Sequence, residues 1–309
     1  MTKHNDTESG ADADEWSDWL MNRRFGNDAA HRLAVEQRVL EYADLVLLHA
    51  QPRAQETVLD VGAGAGLVAF RALERWPDLD VTLTDISSPL LQVAAAAARS
   101  KGVLSQCRFV EASADDLSGI ADSSIDLVVA RACVAYVSDK TAAFREMYRV
   151  LKPGGRISLA EPINQEHALS VRVMRERLQS SREDVPDALL TLLHRWKSAQ
   201  YPDTEEGYAD TPLVNFSEQD LLTLAARAGF RPLHLRLHVD IAPALARTWD
   251  AFLSIAPHPL APTLAEILAE RFSEQERQLL ERHLRPIIES GTNHDLDRVA
   301  YLFGTKRAG

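Results

Sequence analysis

The chain has 309 residues and a formal net charge of −11, a length that holds one large α/β domain with insertions or two small domains. Its acidity argues against the broad basic surface that non-specific nucleic-acid binding needs, so nucleic acid is not an expected partner. Two cysteines, Cys107 and Cys133, lack metal-ligand spacing, and the N-terminus carries no secretory pattern. With no apolar run near the ~20 residues of a membrane span, a reducing, cytoplasmic location without membrane contact is expected.

Residues 1–14 are polar and acidic and read as a disordered tail. From 15 to 50 the pattern is helical: Trp16, Trp19 and Leu20 share a face, and Leu33, Val39, Leu40 and Leu47 continue apolar spacing. Strand and helix signals then alternate through the core at 51–162. Strands are expected at 57–61, 80–84, 107–110, 125–130 and 156–160, with helices at 66–75, 88–101 and 140–150. Lys152-Pro153-Gly154-Gly155 makes the turn into the strand at 156–160. Such alternation implies βαβ crossovers and a doubly wound parallel sheet. The rhythm breaks at Pro162. Residues 163–215 read as a helical insertion, and 216–243 as a return to the core, opened by a capping box at Ser217 and Asp220. Residues 244–293 read as a second helical insertion, and 294–309 as the end of the core, with the last strand at 299–305.

The most informative segment is Val58-Leu59-Asp60-Val61-Gly62-Ala63-Gly64-Ala65-Gly66. A buried strand running into three glycines at alternate positions brings backbone N–H groups close to a bound ligand. A dinucleotide fingerprint needs its third glycine three residues after the second, where this chain has Leu67. Asp60 followed by G-x-G-x-G points instead to S-adenosylmethionine (SAM). Asp85 closes the next strand, where a carboxylate accepts hydrogen bonds from both ribose hydroxyls. Beyond the third strand, Ser113-Ala114-Asp115 is placed to read an adenine edge.

With these residues in order, the sequence resembles the class I SAM-dependent methyltransferases over roughly residues 55–165. Val58 to Gly66 matches the glycine motif, Asp85-Ile86 the acidic strand end, and Ile125 to Val129 the fourth strand. Phe144 to Gly155 matches the approach to the fifth, and Ser217 to Phe230 and Tyr301 to Lys306 resemble the later elements. The resemblance implies a mostly parallel, seven-stranded, Rossmann-like α/β sheet with N-terminal helices and two helical lids. It implies SAM as cofactor, with S-adenosylhomocysteine (SAH) as product. It places Asp60, Gly62, Gly64 and Gly66 at the methionine end, Asp85 and Ile86 at the ribose, Ser113, Ala114 and Asp115 at adenine, and Arg131 against the cofactor backbone.

The acceptor is less defined. After the fourth strand the chain reads Arg131-Ala132-Cys133, without the Asn-Pro-Pro-Tyr motif of many nucleic-acid amino methyltransferases. Open α/β sheets build sites at C-terminal strand ends, which selects Tyr136, Glu161 and His167 as catalytic candidates. No metal is expected. Arg172, Arg175, Arg177 and Arg195 are candidates to guide an anionic group. A second resemblance, through Glu161-Pro162-Ile163-Asn164 and Ala256 to Thr263, is to bacterial natural-product methyltransferases, including enzymes that esterify peptide C-termini. The expected reaction is methylation of an oxygen, with a carboxylate among the candidates, on a natural product or peptide held under the lids. N- or C-methylation of a similar scaffold is the rival, and a SAM-binding protein without methyl transfer the rival of another class. A homodimer is compatible with this reading.

Overall fold

A computed structural model of the chain describes residues 13–26, 28–180 and 187–308. Most of the expected 1–14 tail therefore lies outside the described residues. Asp14 instead caps a short helix α1 (Glu15–Asp18), accepting a 2.7 Å hydrogen bond from the Ser17 N–H. A π-helical turn follows (Trp19–Arg23), and after a break comes α2 (Ala29–Ala50). The 15–50 segment is thus not one helix. Gly26 takes φ +58°, and a Cβ there would stand 2.6 Å from the Ala251 carbonyl oxygen, so the chain turns where a later segment packs against it.

The core alternates as the apolar pattern predicts: β1 (Thr57–Val61), α3 (Leu67–Arg75), β2 (Asp80–Asp85), α4 (Ser88–Ser100), β3 (Cys107–Glu111), β4 (Ile125–Arg131), α5 (Lys140–Val150) and β5 (Leu151–Pro162). The first helical insertion holds α6 (Gln165–Ser180), α7 (Ala188–Lys197) and α8 (Glu205–Asp210). Next come α9 (Glu218–Ala228) and β6 (Leu233–Pro243). The second insertion holds α10 (Trp249–Ser254), α11 (Leu264–Arg271) and α12 (Glu274–Ser290), before β7 (His294–Thr305). The seven strands are ordered β3-β2-β1-β4-β5-β7-β6, with β7 antiparallel to both neighbours and the rest parallel. This is the doubly wound architecture the sequence implied. Its strand order reverses between β1 and β4, and a crevice opens at their C-terminal ends.

Two strands run longer than the sequence pattern suggested. β5 begins at Leu151 because the Lys152–Gly155 segment bulges out between paired residues Leu151 and Arg156. β7 begins at His294, five residues before its apolar run, because Val239–Pro243 of β6 pairs with His294–Arg298 in a ribbon reaching past the end of β5. The β7 half of that ribbon, His294 to Asp297, lines a cavity.

Each sheet face packs an apolar layer: Phe144, Met147 and Leu221 on one side, and Leu47, Leu73 and Leu91 on the other. The two insertions do not form separate lids. Leu192 and Trp196 of α7 share a core with Trp249, Leu264, Ile267 and Leu280 from the second insertion. Burying each such side chain contributes about 1.5–3 kcal/mol before ordering costs, enough to hold the insertions as one cover. The N-terminal segment is tied to the same cover. Trp19 Nε1–H donates to the Ala256 carbonyl at 2.9 Å, and Arg23 pairs with Glu266 at 2.6 Å.

Candidate active site

β1 delivers Asp60 and then the glycine turn. Gly62 sits at φ +65°, and a Cβ on it would stand 2.5 Å from Cys133 Sγ, so the crevice wall at this point admits only glycine. Gly64 donates its backbone N–H to Asp85 Oδ2 at 2.7 Å, while the Ser87 N–H donates to Oδ1 at 2.9 Å. The Asp85 carboxylate therefore braces the glycine turn and still has lone pairs for ligand hydroxyls. Burial raises its pKa. Asp60 accepts from the Ala69 N–H at 3.0 Å, tying β1 to the first turns of α3, and burial pushes its carboxyl up to about 7.

These groups line a cavity of about 310 Å³ that includes Asp60, Gly62, Gly64 and Asp85. Its floor continues into a second space of about 230 Å³ walled by Asp85, Ile86, Ser113, Ala114 and Asp115. Ser113 Oγ hydrogen-bonds Asp115 Oδ1, fixing that loop. The structure thus gathers the expected cofactor residues into one trough, with one exception. Gly66 does not line it. It adopts φ +87° at the N-cap of α3, where a Cβ would strike the Phe70 ring, so it serves the turn alone. The trough fits a nucleoside at the end where Ser113 to Asp115 stand, and an amino-acid moiety at the end where Asp60 stands.

A third cavity of about 650 Å³ adjoins the trough. Trp19, Arg24, Arg131, Ala132 and Tyr136 wall both. Arg131 closes β4 as expected, but Arg24, from the turn after the π-helical segment, carried no sequence signal. Among the described residues neither guanidinium has a hydrogen-bonding or ion-pairing partner. Arg24 stacks on the Trp19 ring at 5.2 Å. Desolvation and the neighbouring Arg131 pull the Arg24 pKa down to about 9, and desolvation lowers Arg131 too. Desolvated, unpaired cations side by side are costly, and an anion relieves the cost.

The three catalytic candidates fall in three different places. Tyr136 stands at the junction, its ring edge-on to Trp16 at 5.1 Å, with its hydroxyl pushed by burial up to about 12. His167 lines the large cavity, stacked on Tyr201 at 4.9 Å. Desolvation, helped by Lys197, holds its pKa down to about 4, so the imidazole is neutral near pH 7. Glu161 lines neither cavity and does not face a ligand, contrary to the sequence expectation. It is fully buried, and its two oxygens accept from the N–H groups of Cys133 at 3.2 Å and Ala135 at 3.0 Å. The turn it holds contains Ala132 at φ +50°, a left-handed alanine that costs about 1 kcal/mol or more. Glu161 therefore positions Tyr136 through the backbone. Burial raises its pKa to about 6, against the pull of those N–H donors.

Of the four arginines expected to guide an anion, Arg177 is exposed and lines neither cavity, and the other three are engaged elsewhere. Arg172 pairs with Glu176 at 3.5 Å, Arg175 with Asp203 at 3.9 Å, and Arg195 with Glu276 at 2.9 Å. The cations on the large cavity are instead Arg24, Arg131, Lys197 and Arg38, the last paired with Asp297 at 2.9 Å. Among the described residues no three His, Cys, Asp or Glu side chains gather as metal ligands, and no helix is long and apolar enough to cross a membrane.

Residues 58–155 match a family described as a methyltransferase domain. The chain is 38% identical over 125 residues to the ubiquinone/menaquinone biosynthesis C-methyltransferase UbiE of Rhizobium meliloti, covering 40% of this chain and 48% of that protein. It is 33% identical over 116 residues to the tRNA 5-carboxymethoxyuridine methyltransferase of Escherichia coli, covering 38% and 43%. The chain thus spans about half the length of the curated relatives it matches. Among solved structures, the YcgJ protein of Bacillus subtilis aligns with a TM-score of 0.56 at 20% identity, over 87% of this chain and 99% of that one. That likeness carries the fold alone.

Proposed function

We propose that this chain, which belongs to the class I SAM-dependent methyltransferases, methylates a carboxylate oxygen of a small molecule or peptide end held in the 650 Å³ cavity. The observation that carries the reading is the pair of half-buried, unpartnered guanidiniums, Arg24 and Arg131, on the wall between the trough and that cavity. SAM brings one carboxylate to such a junction. A second anion is left for the acceptor to supply. Arg32 lines the trough but not the large cavity, so the methionine end has a guanidinium of its own in Arg32 beside the shared Arg24. This frees Arg131 to orient the acceptor, in place of the cofactor contact that the family resemblance implied.

Bound SAM supplies a methyl group activated on sulfonium; alignment and surroundings fall to the protein. Glycine-lined backbone and Asp85 fix one partner, and Arg131 with Tyr136 fixes the other, which converts a bimolecular encounter into a positioned one. When a carboxylate oxygen bonds the methyl carbon and the carbon–sulfur bond breaks, a cation and an anion become a neutral thioether and an ester. No proton moves, so no base is required. Neutralisation of two opposite charges is favoured wherever the helical cover keeps bulk water from the reacting pair.

A second reading has one observation of its own. His167, unprotonated near pH 7 and lining the cavity, can accept a hydrogen bond from a phenol or carbon-acid acceptor, in keeping with C-methylation as the name of the UbiE relative describes it, although a pKa near 4 makes it a weak base until a bound acceptor raises it. The test is incubation with SAM and a panel of carboxylic acids and phenols, with products read by mass spectrometry. Methyl esters support the first reading. Aryl ethers or ring-methylated products without esters sink it in favour of the second.

A further inference from the structure

Beyond the large cavity, away from the trough, lies a further space of about 230 Å³ inside the helical cover. His31, Lys197, Ile255, Pro257 and Asp295 wall both spaces, so the second continues the first. Its lining changes character. Trp196, Phe252, Leu264, Ala244 and Ala246 make it largely apolar, and they come from α7, α10, α11 and the segment after β6. Trp196 and Phe252 meet edge to face at 5.7 Å. Polar atoms around it lack partners among the described residues. They include Nε1 of Trp196, a residue only 6% exposed, along with Nδ1 of His31 and Oδ1 of Asn293. A packed core normally satisfies such atoms or excludes them. Here the residues that withhold hydrogen bonds also border an open volume inside the helical cover.

We propose that this compartment receives the distal end of the acceptor, and that the acceptor is an elongated carboxylic acid carrying an uncharged, mainly apolar or aromatic end group. The inference rests on the carboxylate reading of the same site and assigns it a length and a second recognition element. The Arg131 junction takes the anion and the compartment takes the ring or chain end. Specificity then comes from anion-to-tail spacing, with the large cavity as the ruler.

The test uses the full-length protein saturated with SAH and a series of ω-phenylalkanoic acids from phenylacetate to 10-phenyldecanoate, titrated by calorimetry. Affinity is expected to rise about fourfold per added methylene once the tail crosses the large cavity, from about 0.8 kcal/mol per buried methylene, and to level off when the ring is seated. Ala246→Phe, which fills the compartment, is expected to abolish the gain for long acids while leaving phenylacetate within threefold of its original affinity. The length series on the unaltered protein stands without that variant should it fail to fold. A spread under threefold across the series, with all acids binding, overturns the compartment and leaves the carboxylate reading intact. Failure of every acid to bind a protein that still binds SAH overturns both.

Discussion

The two halves of the site are built by different means. On the trough side, β1, β2 and the loop after β3 present backbone and carboxylates from short, contiguous stretches, and the two strand-end carboxylates are held by backbone N–H groups. Asp85 accepts two backbone N–H groups and Asp60 one. On the acceptor side, the wall is assembled from the turn before α2, the end of β4, α7, the loop after α10 and the β6–β7 ribbon, and while Arg38 is held by Asp297, Arg24 and Arg131 have no partner among the described residues. A preorganised trough suits a ligand that is always the same. A cavity with unmet charge is waiting for its counter-charge from outside, and that is where specificity is set.

Substitutions that separate the halves follow, beginning with the largest effect. Asp85→Ala removes both the brace of the glycine turn and the ribose acceptor. SAH affinity by calorimetry should fall roughly 100-fold or more, at about 1.5–3 kcal/mol for each lost charged hydrogen bond. An unchanged affinity would remove Asp85 from the cofactor site.

Glu161 belongs to neither half but holds the turn between them. Its pKa is raised from 4.5 to about 6 in the folded state, so folding favours its protonated form. The stabilisation that this proton uptake provides is full below the unfolded value and is lost as pH rises through about 6. Denaturant unfolding should therefore lose about 2 kcal/mol from this group between pH 4.5 and 7, a loss that Glu161→Gln abolishes. If the substitution leaves the pH dependence of stability as it was, the buried carboxylate is not the titrating group.

Trp19→Phe keeps the ring but removes the 2.9 Å bond to the Ala256 carbonyl. About 1 kcal/mol of stability should be lost, with faster SAH release in stopped-flow measurements as the cover loosens. An unchanged release rate would mean that the N-terminal segment does not retain the cofactor. The smallest effect is expected from His167→Asn. For a carboxylate acceptor, turnover should stay within threefold, and a hundredfold drop would instead make the imidazole a base.

The contrast between the halves also sets what the sequence could disclose. The trough was legible because a glycine turn, a strand-end aspartate and a Ser-Ala-Asp loop are each local, and each meets a backbone demand that only certain residues satisfy. Gly66 stands at the N-cap of α3 outside the trough lining, and spacing alone cannot separate a glycine that touches ligand from one that only opens a helix. The acceptor wall was hidden. Arg24 and Lys197 are separated by more than half the chain and become one surface only through the packing of Trp196, Trp249 and Leu264, which reads in sequence as ordinary helix apolarity. Glu161 was correctly placed at the end of β5, yet its direction was set by N–H groups at Cys133 and Ala135 that no pattern of side chains announces. The start of β7 was missed in the strand pattern for a related reason: His294 to Asp297 line a cavity rather than a core.

The central claim is that Arg131 serves the acceptor anion while the trough binds the cofactor independently. Calorimetric titration of 8-phenyloctanoate and its primary amide into SAH-saturated protein tests it most directly, with wild type and Arg131→Met compared. The acid should bind at least tenfold more tightly than the amide in the wild type. That preference should collapse in the variant while SAH affinity stays within threefold. Equal binding of acid and amide, or a variant that loses SAH and keeps the acid, would contradict the account.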